Sequence, residues 1–173
     1  PTVRSTAKIL YTIYLLMTVL EIVILLLCGM PVFDALTTAF GTAGTGGFGI
    51  KNDSMGGYSV AIQIVVTVFM ILFGINFNVY FLLLSKKWKQ ALKNEEVRWY
   101  LAIILGAVLL IGWNIRGVYG SMGKAIQQAA FQVASIITTT GFATVDFNFW
   151  PEVSRTILVL LMFVGACAGS TGG

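Results

Sequence analysis

The sequence predicts an all-α membrane protein made of two related units, each with two membrane spans and a short helix between them. Three observations support this fold class. Of the 173 residues, 57% are hydrophobic and only 10% are charged, whereas soluble domains carry about 25% charged residues. The apolar residues also form runs long enough to cross a bilayer, and one Thr/Gly/Phe pattern occurs twice.

The apolar runs give the membrane spans. A span needs about 20 apolar residues to cross a hydrocarbon core of roughly 30 Å. Four runs fit this description: residues 9–30, 58–84, 99–115 and the run that begins at Thr156. The first contains Glu21, an acid at mid-span that either tunes cation flux or pairs with polar groups of neighbouring helices. Because the chain starts at Pro1 and stops within a glycine run, we expect a piece of a longer protein.

The charge distribution orients these spans. Residues 86–98, between the second and third runs, hold five cationic side chains against Glu95 and Glu96. By the positive-inside rule this basic linker is cytoplasmic, which puts residues 31–57 and 117–155 on the outer side. The linker also supplies most of the net charge of +4. Contact with lipid headgroups accounts for that charge, so we expect no nucleic-acid partner.

Several kinds of chemistry are excluded. The chain has no histidine, so it cannot form a Ser-His or Cys-His dyad by itself. Its two cysteines, Cys28 and Cys167, carry no zinc or disulfide pattern. The runs "GTAGTGG" and "GSTGG" lack the preceding strand and the Gly-Lys-Ser/Thr of a phosphate loop. We therefore expect neither an enzyme nor a cofactor bound within this chain.

An internal repeat relates the two halves. A shift of 94 residues places Thr45, Gly47 and Phe48 on Thr139, Gly141 and Phe142. Each unit then reads as a span, a short helix (residues 32–40 or 124–135), a Thr/Gly/Phe stretch and a second span. The short helices cannot cross a bilayer, and the chain is outside before and after them, so each is re-entrant. Non-helical backbone at membrane depth must be buried in protein or line a wet cavity.

The two Thr/Gly/Phe stretches predict a cation filter. Successive backbone carbonyls can replace the water shell of potassium, and glycine adopts the backbone angles that aim them inward. The carboxyl end of a helix that enters from outside adds partial negative charge. A flexible linker or a small-residue packing motif is the alternative, which the recurrence in both units makes weaker. The predicted potassium filter consists of Thr45, Gly46, Gly47, Phe48, Thr139, Thr140, Gly141 and Phe142.

Four segments carry a family resemblance: "DALTTAFGTAGTGGFG" (34–49), "ILFGINFNVYF" (71–81), "ITTTGFATVDFNFWP" (137–151) and "GACAGSTGG" (165–173). With them the chain resembles the Trk/Ktr/HKT superfamily of potassium transporters, most closely its bacterial Trk pore subunits. The resemblance implies four membrane-pore-membrane repeats, arranged with pseudo-fourfold symmetry around one ion pore. Residues 1–85 would be the second repeat and residues 99–173 most of the third, joined by the linker 86–98.

The last of these segments resembles the intramembrane gate loop of the family. Each interior glycine costs a helix about 1 kcal/mol relative to alanine, so we expect the segment to unwind. Close helix packing through small residues is the alternative. The predicted gate loop consists of Gly165, Ala166, Cys167, Ala168, Gly169, Ser170, Thr171, Gly172 and Gly173.

The resemblance further implies potassium uptake across the cytoplasmic (inner) membrane of a bacterium. It also implies a homodimer, surrounded by membrane lipid, and a cytosolic nucleotide-binding regulatory ring of the RCK type that docks near the basic linker. Sodium-selective or mixed transport by the same superfamily stays open, as does a non-conducting membrane scaffold. For Asp34 we expect either an anchor to Arg116 or Lys124, or a place at the outer mouth with Asp53 and Asp146.

Overall fold

A computed structural model gives the fold. It describes the backbone of residues 3–43, 58–75, 77–138, 144–145 and 147–172. Within those ranges the chain forms eight α-helices and a 3₁₀ turn, Phe147–Phe149, before the last helix. In order the helices are α1 (Val3–Leu27), α2 (Val32–Ala43), α3 (Val60–Phe73), α4 (Phe77–Leu84), α5 (Trp88–Leu92), α6 (Glu95–Tyr119), α7 (Met122–Ile137) and α8 (Glu152–Gly172).

The long helices match the predicted spans. Segments Ala7–Leu27 and Glu95–Tyr119 are long and apolar enough to cross a membrane. Helix α8 has 21 residues, or about 32 Å at 1.5 Å per residue. The run 58–84 differs from the prediction of one continuous span, because α3 ends at Phe73 and α4 begins only at Phe77.

The two short helices are present where the repeat predicts them. Helix α2 has 12 residues and α7 has 16, which correspond to about 18 and 24 Å. Both extend a few residues beyond the predicted ranges. The 94-residue shift moves the end of α2, Ala43, onto the end of α7, Ile137. Each predicted filter stretch therefore begins just after the carboxyl end of a short helix.

The polarity of the surface is that of a membrane protein. Large apolar side chains on the long helices face outward: Leu15 is 64% exposed, Leu110 64% and Phe163 72%. Polar side chains such as Glu21 and Gln132 are buried instead. Soluble proteins show the reverse distribution. Hydrocarbon is the solvent that suits such a surface.

The two units share a core along α3 and α7. Phe131 and Ala134 of α7 are fully buried against Val66 and Met70 of α3 and against Leu25 of α1. The core of the first unit is thus completed by the short helix of the second. This arrangement places α7 between the two units.

Helix α7 also packs closely on α6 of its own unit. A methyl group at Gly112 of α6 would lie 2.5 Å from the Cδ1 atom of Ile126. The left-handed backbone of Gly120, with φ of 72°, ends α6 and allows the chain to turn into α7. Ser121 then caps α7 by accepting a hydrogen bond from the Lys124 amide at 3.2 Å.

Candidate ion-conduction site

The carboxyl end of α2 is hydrogen-bonded to Glu21 of α1. The Thr42 hydroxyl lies 3.1 Å from Glu21 Oε2 and 2.8 Å from the Thr38 carbonyl oxygen. Glu21 is 0% exposed, and its Oε1 atom has no hydrogen-bond partner among the described residues. This contact agrees with the interpretation that Glu21 pairs with a neighbouring helix. Thr42 precedes Thr45, the first residue of the first Thr/Gly/Phe stretch, by three positions.

The carboxyl end of α7 is in backbone contact with α8. A Cβ atom added at Gly165 would lie 2.7 Å from the Ile137 carbonyl oxygen and 3.0 Å from that of Ile136. Real Cβ atoms do not approach backbone so closely. Glycine at position 165 is therefore what lets α8 touch the last turn of α7, immediately before the second stretch begins.

Two tyrosines donate to carbonyls in the last turn of α3, just before the break. These carbonyls also accept from the Gly74 and Ile75 amides, each at 3.2 Å. The Tyr100 hydroxyl donates to the Ile71 carbonyl at 3.0 Å, and the Tyr80 hydroxyl donates to the Leu72 carbonyl. A broken helix survives at membrane depth only if such groups find partners within the protein. Tyr80 and Tyr100 therefore stabilise the interruption.

The same break abuts the start of the second stretch. A Cβ atom added at Gly74 would lie 2.2 Å from the Tyr100 hydroxyl oxygen and 2.8 Å from Thr138 Cγ2. Thr138 caps the end of α7, where its hydroxyl donates to the Ala134 carbonyl at 2.6 Å. The interruption in the first unit thus lies beside Thr138, the residue that precedes the second stretch.

The segment that leads from the second stretch into α8 is hydrogen-bonded to α6. The indole N–H of Trp150 donates to the Tyr119 hydroxyl at 3.0 Å, and Ser154 donates to Asn114 Oδ1 at 2.6 Å. Both Trp150 and Ser154 are buried. The start of α8 therefore has a fixed position relative to α6 and α7.

This assembly of short helices, broken spans and glycine contacts has known counterparts. A family model described as TrkH, a cation transport protein, matches residues 1–173. The chain belongs to the TrkH family. Because this family consists of transport proteins, the prediction of a non-enzyme is confirmed, and so is the resemblance to the Trk branch of the superfamily.

Curated TrkH relatives match along the whole chain. The chain is 36% identical to the Trk system potassium uptake protein TrkH of Salmonella typhimurium and 37% identical to that of Vibrio parahaemolyticus. It is 33% identical to the Trk system potassium uptake protein TrkG of Escherichia coli. Each alignment covers 100% of this chain, which spans only 36–37% of the length of those relatives.

A crystal structure of a TrkH protein has the same fold. The potassium transporter TrkH from Vibrio parahaemolyticus matches 93% of this chain with a TM-score of 0.86 and 34% sequence identity, over 36% of its own length. The fold class is therefore confirmed: an all-helical membrane transporter built from repeats with short pore helices. In this fold α2 and α7 are the pore helices.

The predicted filter residues lie outside the described part of the chain. This holds for the first stretch, Thr45, Gly46, Gly47 and Phe48, and for the second, Thr139, Thr140, Gly141 and Phe142. Their flanking residues are described, namely Ala43, Thr138 and Thr144. The filter assignment stays a prediction, with both pore helices ending at its edges.

The expectation that the segment from Gly165 unwinds was wrong as far as Gly172. Helix α8 continues through that residue, and Gly173 lies outside the described residues. A cost of about 1 kcal/mol per glycine is smaller than the cost of leaving several backbone groups without partners in an apolar setting. The interruption found among the described residues lies instead in the first unit, where α3 ends at Phe73 and α4 begins at Phe77.

Asp34 has neither of the predicted cationic partners. Its Oδ2 atom accepts a hydrogen bond from the Tyr58 hydroxyl at 2.9 Å. The Arg116 guanidinium lies over the Trp113 ring, 3.7 Å from its centroid, and Lys124 Nζ lies 5.8 Å from the centroid of the Tyr119 ring. The Tyr58 hydroxyl, two residues before α3, thus holds the first turn of α2.

Several residues that shape the site were not singled out from the sequence. They are Gln63, Tyr100, Gln128, Gln132 and Thr144, all placed within or beside the pore helices. The available signal was the pair Gln128 and Gln132, which are polar residues four apart in a largely apolar helix. Such residues share one helix face, and polar side chains inside a membrane usually have a specific partner.

The Glu21 contact leads to a prediction about stability. Thr42→Val should lower the free energy of unfolding by about 1–3 kcal/mol, because it leaves a buried carboxyl group without its hydrogen bond. The double variant Glu21→Leu/Thr42→Val should cost less than Thr42→Val alone, since both polar groups are then gone. Thermal unfolding of the purified transporter in detergent measures these differences.

The control for this prediction is Thr12→Val. Thr12 makes a comparable bond to the Lys8 carbonyl at 2.8 Å but is exposed on α1. It should leave the melting temperature nearly unchanged. Equal destabilisation by Thr12→Val and Thr42→Val would mean that the Glu21 contact contributes nothing specific.

Proposed function

We propose that the transporter containing this chain takes up potassium across the inner membrane of a bacterium, through a filter of backbone carbonyls. The observation that carries the proposal is the pairing of each Thr/Gly/Phe stretch with the carboxyl end of a pore helix. The named relatives are potassium uptake proteins, which supports potassium as the transported ion. The ion is cargo, and the chain is proposed to hold no cofactor.

The filter mechanism follows from the helix ends. A helix that enters from outside directs its carboxyl end, with about half an elementary negative charge, toward the membrane interior. Carbonyls of Thr45 to Phe48 and of Thr139 to Phe142 then replace water around the cation. Glycine at positions 47 and 141 permits the backbone angles that this requires. If the protein were a non-conducting scaffold, there would be no reason for the same stretch to follow both pore helices.

Gating is assigned to the small-residue end of α8. Gly165 contacts the last turn of the pore helix that leads into the second stretch. Residues 166–173, which the sequence predicts as the gate loop, follow directly in the chain. A change in this segment would therefore reach the filter through the carbonyls of Ile136 and Ile137.

The partners proposed for the transporter are a second copy of itself and a cytosolic nucleotide-binding ring of the RCK type. The basic linker 86–98 is the surface proposed to face the ring. Its short helix α5 exposes Trp88 and Leu92 beside several lysines. Such a surface combines apolar and cationic groups on what is proposed to be the cytoplasmic side.

Rubidium uptake tests the function. A bacterium that lacks its own potassium uptake systems should grow in low potassium, and should accumulate rubidium, when it expresses the full transporter. Potassium should compete with rubidium far better than sodium does. Equal competition by both ions would favour mixed transport, and uptake no greater than in cells with an empty vector would support the scaffold interpretation.

A further inference from the structure

A cluster of buried polar side chains lies between the two units, and one member, Thr144, follows the second Thr/Gly/Phe stretch in the sequence. Gln63 comes from α3, while Gln128 and Gln132 come from α7, and each is at most 5% exposed. The half-buried Gln127 and the buried Thr144 complete the group. This glutamine cluster consists of Gln63, Gln127, Gln128, Gln132 and Thr144.

Thr144 is bonded twice to the pore helix that precedes it. Its hydroxyl donates to Gln128 Oε1 and accepts from Gln132 Nε2 at 3.3 Å. Thr144 follows Phe142, the last predicted filter residue, by two positions. The two bonds therefore tie the chain that leaves the stretch back onto the helix that leads into it. The described residues on either side of the stretch, Thr138 and Thr144, are thus both bonded to α7.

The cluster continues into the first unit. The Gln63 Oε1 atom accepts from Gln127 Nε2 at 2.7 Å and from Gln128 Nε2 at 3.4 Å. Gln63 Nε2 in turn donates to the Tyr58 carbonyl at 3.2 Å. The Tyr58 hydroxyl reaches Asp34, in the first turn of the other pore helix. Hydrogen bonds through Gln128, Gln63 and Tyr58 thus link Thr144 to α2; Tyr58 takes part with both its carbonyl and its hydroxyl.

General helix association accounts for the bonds between Gln63 of α3 and α7, but not for the two bonds to Thr144. Polar side chains that only hold membrane helices together bond from one helix to another. Here Gln128 and Gln132, one turn apart on a single face, both bond to one residue of the loop that follows the stretch. Buried amides have few alternative partners, so they fix position closely.

We propose that the glutamine cluster is a positioning network that holds the second filter stretch in register with the first unit and thereby sets the preference for potassium over sodium. The proposal rests on the proposed function. Discrimination by carbonyl rings depends on how closely the oxygens keep their spacing around the ion. When the residues that support a site hold it less tightly, the site still forms, but the positions of its binding atoms vary more. Thr144 is the point at which the network holds the stretch.

The test uses the full transporter with Thr144→Val, which keeps the shape and removes both bonds. Rubidium uptake is measured with potassium and with sodium as competitors. Thr144→Val should reduce the preference for potassium over sodium by a factor of roughly 10, as expected for the loss of two hydrogen bonds. Thr144→Ser keeps the hydroxyl and should remain close to wild type. Thr156→Val, an exposed position on α8, is the matched control and should change nothing.

A second variant covers the case in which Thr144→Val fails to reach the membrane. Gln132→Leu removes the bond donated to Thr144 but keeps the bond from Thr144 to Gln128, and it should shift the preference in the same direction by a smaller factor. Unchanged preference in whichever of these two variants is expressed would overturn the proposal. Loss of uptake with unchanged preference would overturn it too, because that is the result of a purely structural role. If wild type takes up no rubidium, the proposed function itself fails, which is a distinguishable outcome.

Discussion

Gly165→Ala should reduce rubidium uptake by the full transporter by a factor of roughly 10 or more. The added methyl group would meet the carbonyl oxygens of Ile136 and Ile137 at 3.0 and 2.7 Å. These are backbone atoms, so no side-chain rotation relieves the contact. Either α8 or the last turn of α7 must move. Overpacking of this kind costs about 1–3 kcal/mol, and here it acts on the turn that leads into the filter.

The matched control is Gly106→Ala. Gly106 is also helical, and a Cβ atom there meets nothing within 4 Å. It should retain wild-type uptake, and it controls for the higher helix propensity of alanine. Uptake is compared at equal amounts of transporter in the membrane. Wild-type uptake by Gly165→Ala would mean that α8 does not contact the end of α7 in the assembled transporter.

Gly74→Ala should be the second most damaging of these changes. Its methyl group would lie 2.2 Å from the Tyr100 hydroxyl oxygen and 2.8 Å from Thr138 Cγ2. Tyr100 would have to leave the Ile71 carbonyl, which would then keep only the Gly74 amide at 3.2 Å as a donor among the described residues. We expect uptake to fall several-fold and the melting temperature to drop, as follows from an overpacking cost of about 1–3 kcal/mol.

Compensating changes give this prediction its internal check. Thr138→Ser removes the Cγ2 atom and keeps the hydroxyl that caps α7. Tyr100→Phe removes the oxygen that the new methyl group would meet. Added to Gly74→Ala, each should restore part of the uptake, because each removes one of the two close contacts. If neither restores any, the damage does not come from these contacts.

The sequence predicts the order of the helices because the bilayer constrains it so strongly. Apolar runs near 20 residues must be spans, and the 94-residue repeat places α2 and α7 between them. The break after Phe73 was not predicted, because the run 58–84 is largely apolar and hydropathy gives no sign of an interruption. Gly74 and Asn76 mark it only weakly. Tyr80 and Tyr100 donate to carbonyls beside it, and those contacts depend on tertiary packing.

The sequence also predicts only part of the candidate site. Glycine and threonine content identifies the two filter stretches as unusual, because such backbone must be buried or wet at membrane depth. It does not identify what holds them. Gln63 and Gln128 meet across 65 positions of sequence, and their pairing depends on how α3 lies against α7. Helix propensity likewise misled for the end of α8, where backbone hydrogen bonding outweighs the cost of glycine.

The central claim is that the two stretches present peptide oxygens to one desolvated cation. Its most direct test is a structure of the full transporter in rubidium, with the ions located by their anomalous scattering. Density for rubidium should lie within about 3 Å of the carbonyl oxygens of Gly47 and Gly141, on one axis between the pore helices. Density located elsewhere, or stretches that face the acyl chains, would contradict the account.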